Sequence, residues 1–228
     1  MSDRRTVAIR LMEQNRFSEA LPIFLDLIDA NPNDEGLYYM AGQCFRFTDN
    51  PSKAVQFLSK AASIDPSEPS VFLALGIAYQ LDDDFHSAIK ALEHAIDLSP
   101  NLFTAYNSIG LTYRQLGMFQ KAIDWYTKGG EGMVSEAIEE VRKHPEKCYK
   151  DEIIDGKAVR KILPYYMNKL GALLKANLLY SVMLNNIGVC FIELGDLDAA
   201  REKFYQSIEM IPEDSDYSAP FENLDGIN

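Results

Sequence analysis

Alanine recurs at a fixed interval along this chain: Ala20, Ala54, Ala88 and Ala122 stand 34 residues apart, and Ala200 follows 78 residues later, one further period plus 44 residues. A second column of small residues, Ala8, Gly42, Gly76, Gly110 and Gly188, lies twelve positions earlier in each copy. No other feature constrains the fold as strongly. A unit of this length is one supersecondary element that cannot bury its apolar face alone and must stack on its neighbours. The register defines five units, 1–34, 35–68, 69–102, 103–136 and 181–214, with 137–180 inserted before the last.

Within a unit the apolar residues fall at helical spacing, first Phe72, Leu75, Gly76 and Tyr79, then Ala88, Leu92 and Ala95, so each unit reads as two short helices. Small residues midway along both stripes let the backbones approach, and Phe45, Tyr79, Tyr113 and Phe191 are expected to fill the wedges between pairs. Asn50-Pro51 caps and opens a second helix, Gly117 and Gly195 occupy equivalent turns, and Pro32, Pro66, Pro100 and Pro212 end second helices.

With Tyr38, Phe72, Tyr106 and Leu184 as the bulky opening position, these columns together strongly resemble the tetratricopeptide repeat (TPR) family over five units. The resemblance implies an all-α fold, a right-handed superhelical solenoid of helix-turn-helix repeats forming a single domain over 1–214. Two departures stand out. Arg4 replaces a bulky apolar residue, which predicts a frayed or shortened first helix. Gly129 and Val134 replace the usual alanine and proline of repeat 4, so its second helix need not stop where its siblings do.

In this family the first helices line a concave face where peptides or helices of partner proteins bind. The positions left over from packing there include Tyr39, Gln43, Arg46, Leu73, Ile77, Asn107, Leu111, Arg114 and Asn185. Tyr39, Leu73, Ile77, Leu111 and Val189 are expected to accept apolar side chains, Gln43, Asn107 and Asn185 to donate to and accept from a peptide backbone, and Arg46 and Arg114 to anchor an acidic group. One family subtype grips the carboxylate of chaperone tails with a lysine, two asparagines and a further basic pair. The equivalent places here hold Tyr39, Gln43, Ala74, Thr104 and Ser108, so that clamp is not expected.

The net charge of -12 disfavours nucleic acid and anionic membrane surfaces as partners. No stretch approaches a spanning segment and the start has no signal-peptide core, which makes the cytoplasm the expected location. The insertion runs against this charge: 137–180 holds nine Lys and Arg against six Asp and Glu, a local balance of +3 beside -15 for the remainder. It is expected to be helical, its start prolonging repeat 4 and the part after Pro164 running as a helix toward repeat 5. The apolar face of 163–183, with Tyr165, Tyr166, Leu170, Leu173, Leu174, Leu178 and Leu179, is read first as packing onto the stack. A docking face or a membrane-surface helix is the alternative. The acidic tail 215–228 carries Tyr217, Phe221 and Leu224, which are expected to fold back over repeat 5 as an irregular cap.

Catalytic chemistry finds little footing. His86, His94 and His144 lack carboxylate or cysteine companions, Pro145 separates His144 from Cys148, and no glycine-rich phosphate loop precedes a helix. Cys44, Cys148 and Cys190 are too few and too scattered for a disulfide framework or a zinc site. Asp82, Asp83 and Asp84 read as a turn and cap cluster. The expectation is a non-catalytic adaptor, scaffold or dedicated chaperone without cofactor or metal. The alternative is a structural protein that self-associates through 145–180.

Overall fold

Helix starts repeat with the period of the alanines. α1 (Ser2–Glu13) and α2 (Phe17–Ala30) are followed by α3 (Glu35–Phe47) and α4 (Pro51–Ile64), α5 (Pro69–Leu81) and α6 (Phe85–Leu98), and α7 (Phe103–Gln115) and α8 (Phe119–Arg142). A hairpin of β1 (Tyr149–Ile154) and β2 (Lys157–Ile162) then leads to α9 (Pro164–Lys175), α10 (Leu178–Glu193), α11 (Leu197–Glu209) and α12 (Ala219–Asp225). This computed structural model describes residues 2–143, 149–154, 157–162 and 164–227, with side chains for 4–143 and 168–227. The chain divides into two compact units, Met1–Thr112 and Tyr113–Asn228, the division falling within α7.

The turn between the helices of each repeat is built on one left-handed residue. Asn15 (φ 59°), Asp49 (57°), Asp83 (59°), Gly117 (70°) and Gly195 (80°) stand at the same repeat position. Glycine adopts this region without strain, and Asn and Asp tolerate it better than other side chains. The triplet at 82–84 is thereby explained: Asp82 ends α5, Asp83 turns the chain, and the Asp84 carboxylate accepts a hydrogen bond from Ser87 N (3.1 Å) as the cap of α6. Asp34 and Asp196 cap α3 and α11 in the same way, through Leu37 N and Ala199 N.

Both small columns are buried where expected, with Ala8, Ala20, Ala54, Ala88, Ala122 and Ala200 all at 0% exposure. Their role is close approach. A Cβ placed on Gly42 or Gly76 would stand 2.6 Å from Leu58 Cγ or 2.5 Å from Leu92 Cγ, and one on Gly188 would stand 2.5 Å from a Phe204 ring carbon. Leu58, Leu92 and Phe204 are themselves sealed from solvent, a burial that stabilises by about 1.5–3 kcal/mol for each such side chain.

The first helix departs from expectation. Arg4 does not shorten it: α1 begins at Ser2, and the Arg4 guanidinium reaches across to Asp26 of α2 at 2.7 Å. α8 runs on for 24 residues, through Val134, as the missing proline predicts. The insertion is helical at both ends and corrects the helical expectation in its middle, where β1 and β2 pair antiparallel from Tyr149↔Ile162 to Ile154↔Lys157. The signal was present in the sequence: Asp155-Gly156 between runs rich in Ile and Val is a two-residue hairpin pattern. The apolar face that follows is packed where its side chains are described, with Leu170 and Leu173 of α9 against buried Val141 of α8 and Leu174 at 8% exposure. The side chains of Tyr165 and Tyr166, like His144 and Cys148, lie outside the described residues.

The tail folds back over repeat 5 as a short helix rather than an irregular segment. In α12, Pro220 and Leu224 are buried and Leu224 joins Ala200 and Phe204, while Arg201 donates to Ile227 O at 2.8 Å. Tyr217 is half-buried, and burial pushes its hydroxyl pKa up to about 12. Phe221 does not take part in the cap; it is 49% exposed.

Candidate functional site

In the first unit α3 presents Tyr39, Gln43 and Arg46 on one face, each half-buried, because positions separated by four and three residues share a side of a helix. They are tied together: Gln43 Nε2 donates to the Tyr39 hydroxyl at 2.9 Å, and Arg46 Nε donates to Gln43 Oε1 at 2.8 Å. The Arg46 guanidinium also lies over the Phe47 ring, 4.1 Å from its centroid, and that ring stacks on Phe17 at 4.3 Å. Burial holds the Arg46 pKa below its ordinary value.

α5 and the first-unit part of α7 carry the next candidate residues. Leu73, Ile77, Asn107 and Leu111 are half-buried, leaving part of each side chain in solvent. Gln80 joins the two helices, its Nε2 donating to Ser108 O (2.8 Å) and Thr112 Oγ1 (2.6 Å). The half-buried candidates of α3, α5 and α7 therefore combine apolar side chains with amides.

The second unit holds the two remaining predicted residues in different settings. Arg114 is half-buried and near enough to Tyr126 and Cys190 to work against the effect of burial, which raises the pKa of both groups, Cys190 to about 11. The Tyr126 hydroxyl is buried with no hydrogen-bond partner among the described residues. Asn185 is only 5% exposed, and its Oδ1 accepts from Asn223 Nδ2 of α12 at 2.9 Å. Reading by helical spacing placed Asn185 on an open surface because it could not show that the tail covers it.

A second concavity escaped the sequence reading. α8, α10 and α11 surround an open cavity of about 470 Å³ whose walls include Tyr126, Gly130, Tyr180, Met183, Ile187 and Lys203. Gly130 leaves part of this room, since a Cβ there would only touch Tyr180 at 3.4 Å. The pair Gly129-Gly130 inside a helical pattern was the available signal. Among the described residues no group of three or more His, Cys, Asp or Glu is placed to hold a metal ion, and no helix is long and apolar enough to cross a membrane.

No curated protein sequence matches the chain. Among solved structures, it is similar to MamA, with 20% identity and a TM-score of 0.62 over 90% of this chain and 94% of that one. MamA 41-end from Desulfovibrio magneticus RS-1 gives 17% identity and a TM-score of 0.60 over 92% and 93%. YrrB, a TPR protein with an unusual peptide-binding site, gives 16% identity and a TM-score of 0.60 over 96% and 89%. At these identities the likeness shows the fold. Two profiles described as tetratricopeptide repeat match, one at residues 11–76 and the other at 69–102, 103–129 and 182–214. With the helix pairs, small columns and turns all in this register, the chain belongs to the tetratricopeptide repeat family.

Proposed function

We propose that this protein is a non-catalytic interaction module that holds an extended peptide or a helix of another protein against its first-helix faces, as an adaptor, scaffold or dedicated chaperone in the cytoplasm. The observation that carries this reading is the surface of α3, α5 and α7 in the first unit, where Tyr39, Gln43, Leu73, Ile77, Asn107 and Leu111 stay half-exposed beside a positioned Arg46. Such a surface suits side-chain pockets alternating with backbone hydrogen bonds. The peptide-binding site of YrrB supports the same reading by analogy of fold. Arg114 is a further candidate in the second unit, whereas Asn185 would become available only if α12 moved away. The test is affinity capture from a lysate of the source organism with the native chain and a Leu73→Ser, Ile77→Ser variant of unchanged helix content. A protein retained by the native chain and lost by the variant supports the reading; equal retention overturns it.

One observation favours a second reading, self-association through the basic insertion. The hairpin is a two-stranded sheet, so each strand has an outer edge without a strand partner among the described residues, and such edges template pairing with another chain. Light scattering over a concentration series tests it. A mass that rises with concentration and no longer does so when 145–163 is replaced by a short linker supports association, and a constant monomer mass excludes it.

A further inference from the structure

Arg46 differs from most arginines of the first unit. Arg4, Arg5 and Arg16 each reach a carboxylate, at 2.7 Å to Asp26, 3.0 Å to Asp34 and 2.7 Å to Glu19, while Arg10 is exposed. Arg46 is half-buried and has no carboxylate within ion-pair distance among the described residues, in a protein with a formal charge of -12. Among the described residues no counter-charge therefore offsets its desolvation, although acidic side chains are abundant in the sequence.

The geometry around it is that of a positioned fork. Nε is used by Gln43 at 2.8 Å, Gln43 is itself held by the Tyr39 hydroxyl, and the guanidinium plane is supported on the Phe47 ring. Packing on Phe47 alone would need neither the Gln43 contact nor a charge. With Nε engaged, the two terminal amino groups remain as parallel donors, the arrangement that pairs with both oxygens of a carboxylate. The other face residues of the first unit, Tyr39, Gln43, Leu73, Ile77, Asn107 and Leu111, are neutral, so one ionic contact is set among apolar and amide contacts.

We propose that Arg46 is a specificity-determining residue that receives an aspartate or glutamate side chain of a bound peptide. This rests on the peptide-binding reading above and names the chemistry its ligand must carry. A side chain fits better than a chain terminus because Tyr39 and Gln43 on α3 and Leu73 and Ile77 on α5 offer contacts to a peptide that continues beyond the ionic group.

The experiment is selection of short random peptides, displayed on phage without a free C-terminus, against the full chain, in parallel with Arg46→Glu and Arg46→Gln variants whose circular dichroism and thermal midpoint are compared first. The native chain is expected to enrich peptides with Asp or Glu at one position. Arg46→Glu is expected to replace it by Lys or Arg, and Arg46→Gln to remove the preference and weaken a selected synthetic peptide by roughly tenfold or more. Should Arg46→Glu fail to fold, Arg46→Gln carries the test alone. Enriched peptides without an acidic position, or with one that both variants retain, overturn the proposal while leaving peptide binding intact. Enrichment of no peptide by the native chain overturns both.

Discussion

α6 and α8 are the second helices of adjacent repeats and begin alike, with a phenylalanine first and a buried alanine at the fourth position, yet α6 has 14 residues and α8 has 24. α6 is capped by Asp84 at its start and gives way to Ser99-Pro100 at its end. α8 has Met118 in the capping position without a side-chain hydrogen bond and meets Val134 where the proline would stand. The repeat is therefore held by its packing column and ended by separate local signals. Losing a stop signal prolonged α8 without disturbing Ala122, which is as buried as Ala88.

The comparison can be broken most severely in the packing column. Leu92→Ala in α6 removes a fully buried side chain lying against Gly76 and should cost about 4 kcal/mol in chemical denaturation. Next comes the stop signal: Val134→Pro places in α8 the residue its siblings carry, but now inside a helix. It should cost about 3 kcal/mol and loosen the contact of Val141 with Leu170 and Leu173, read by hydrogen exchange of 135–142.

Substitutions in glycine and turn positions sharpen the contrast. Gly130→Ala meets only Tyr180 at 3.4 Å and should stabilise α8 by up to about 1 kcal/mol in a thermal melt. Gly76→Ala, meeting Leu92 at 2.5 Å, should destabilise α5–α6 despite the same gain in propensity. Asp83→Gly relieves a left-handed aspartate and should raise stability by about 0.5 kcal/mol.

The smallest effect concerns acid. Hydrogen bonds from the Ser87 side chain and backbone hold the Asp84 carboxyl pKa below its usual value. Its contribution is therefore present above the pKa of an unfolded aspartate and is lost as pH falls through the lower folded value. Asp84→Asn should flatten that acid limb in melts across the carboxylate range, and no matching change should appear at Met118 of α8.

The candidate residues of the two units were not equally legible. Tyr39, Gln43, Arg46, Leu73 and Ile77 could be placed by spacing alone, since period and helical geometry fix which side of a helix a residue occupies. The relay from Arg46 through Gln43 to Tyr39 could not, because it depends on rotamers chosen by packing on Phe47. Nor could the cover over Asn185, because Asn223 is 38 residues away in sequence and no periodicity connects them.

The repeat was written in local sequence: two helices, a left-handed turn residue and two small columns, each a local requirement of backbone geometry and close approach recurring in register. Packing between distant segments set where that pattern is interrupted or covered: the contacts of Leu170 and Leu173 with Val141, the burial of Leu174, the α12 cap, the enclosure of Asn185 and the cavity beside Gly130. These depend on contacts between segments distant in sequence, where side-chain shape and burial choose among alternatives that local propensity leaves nearly equal in energy.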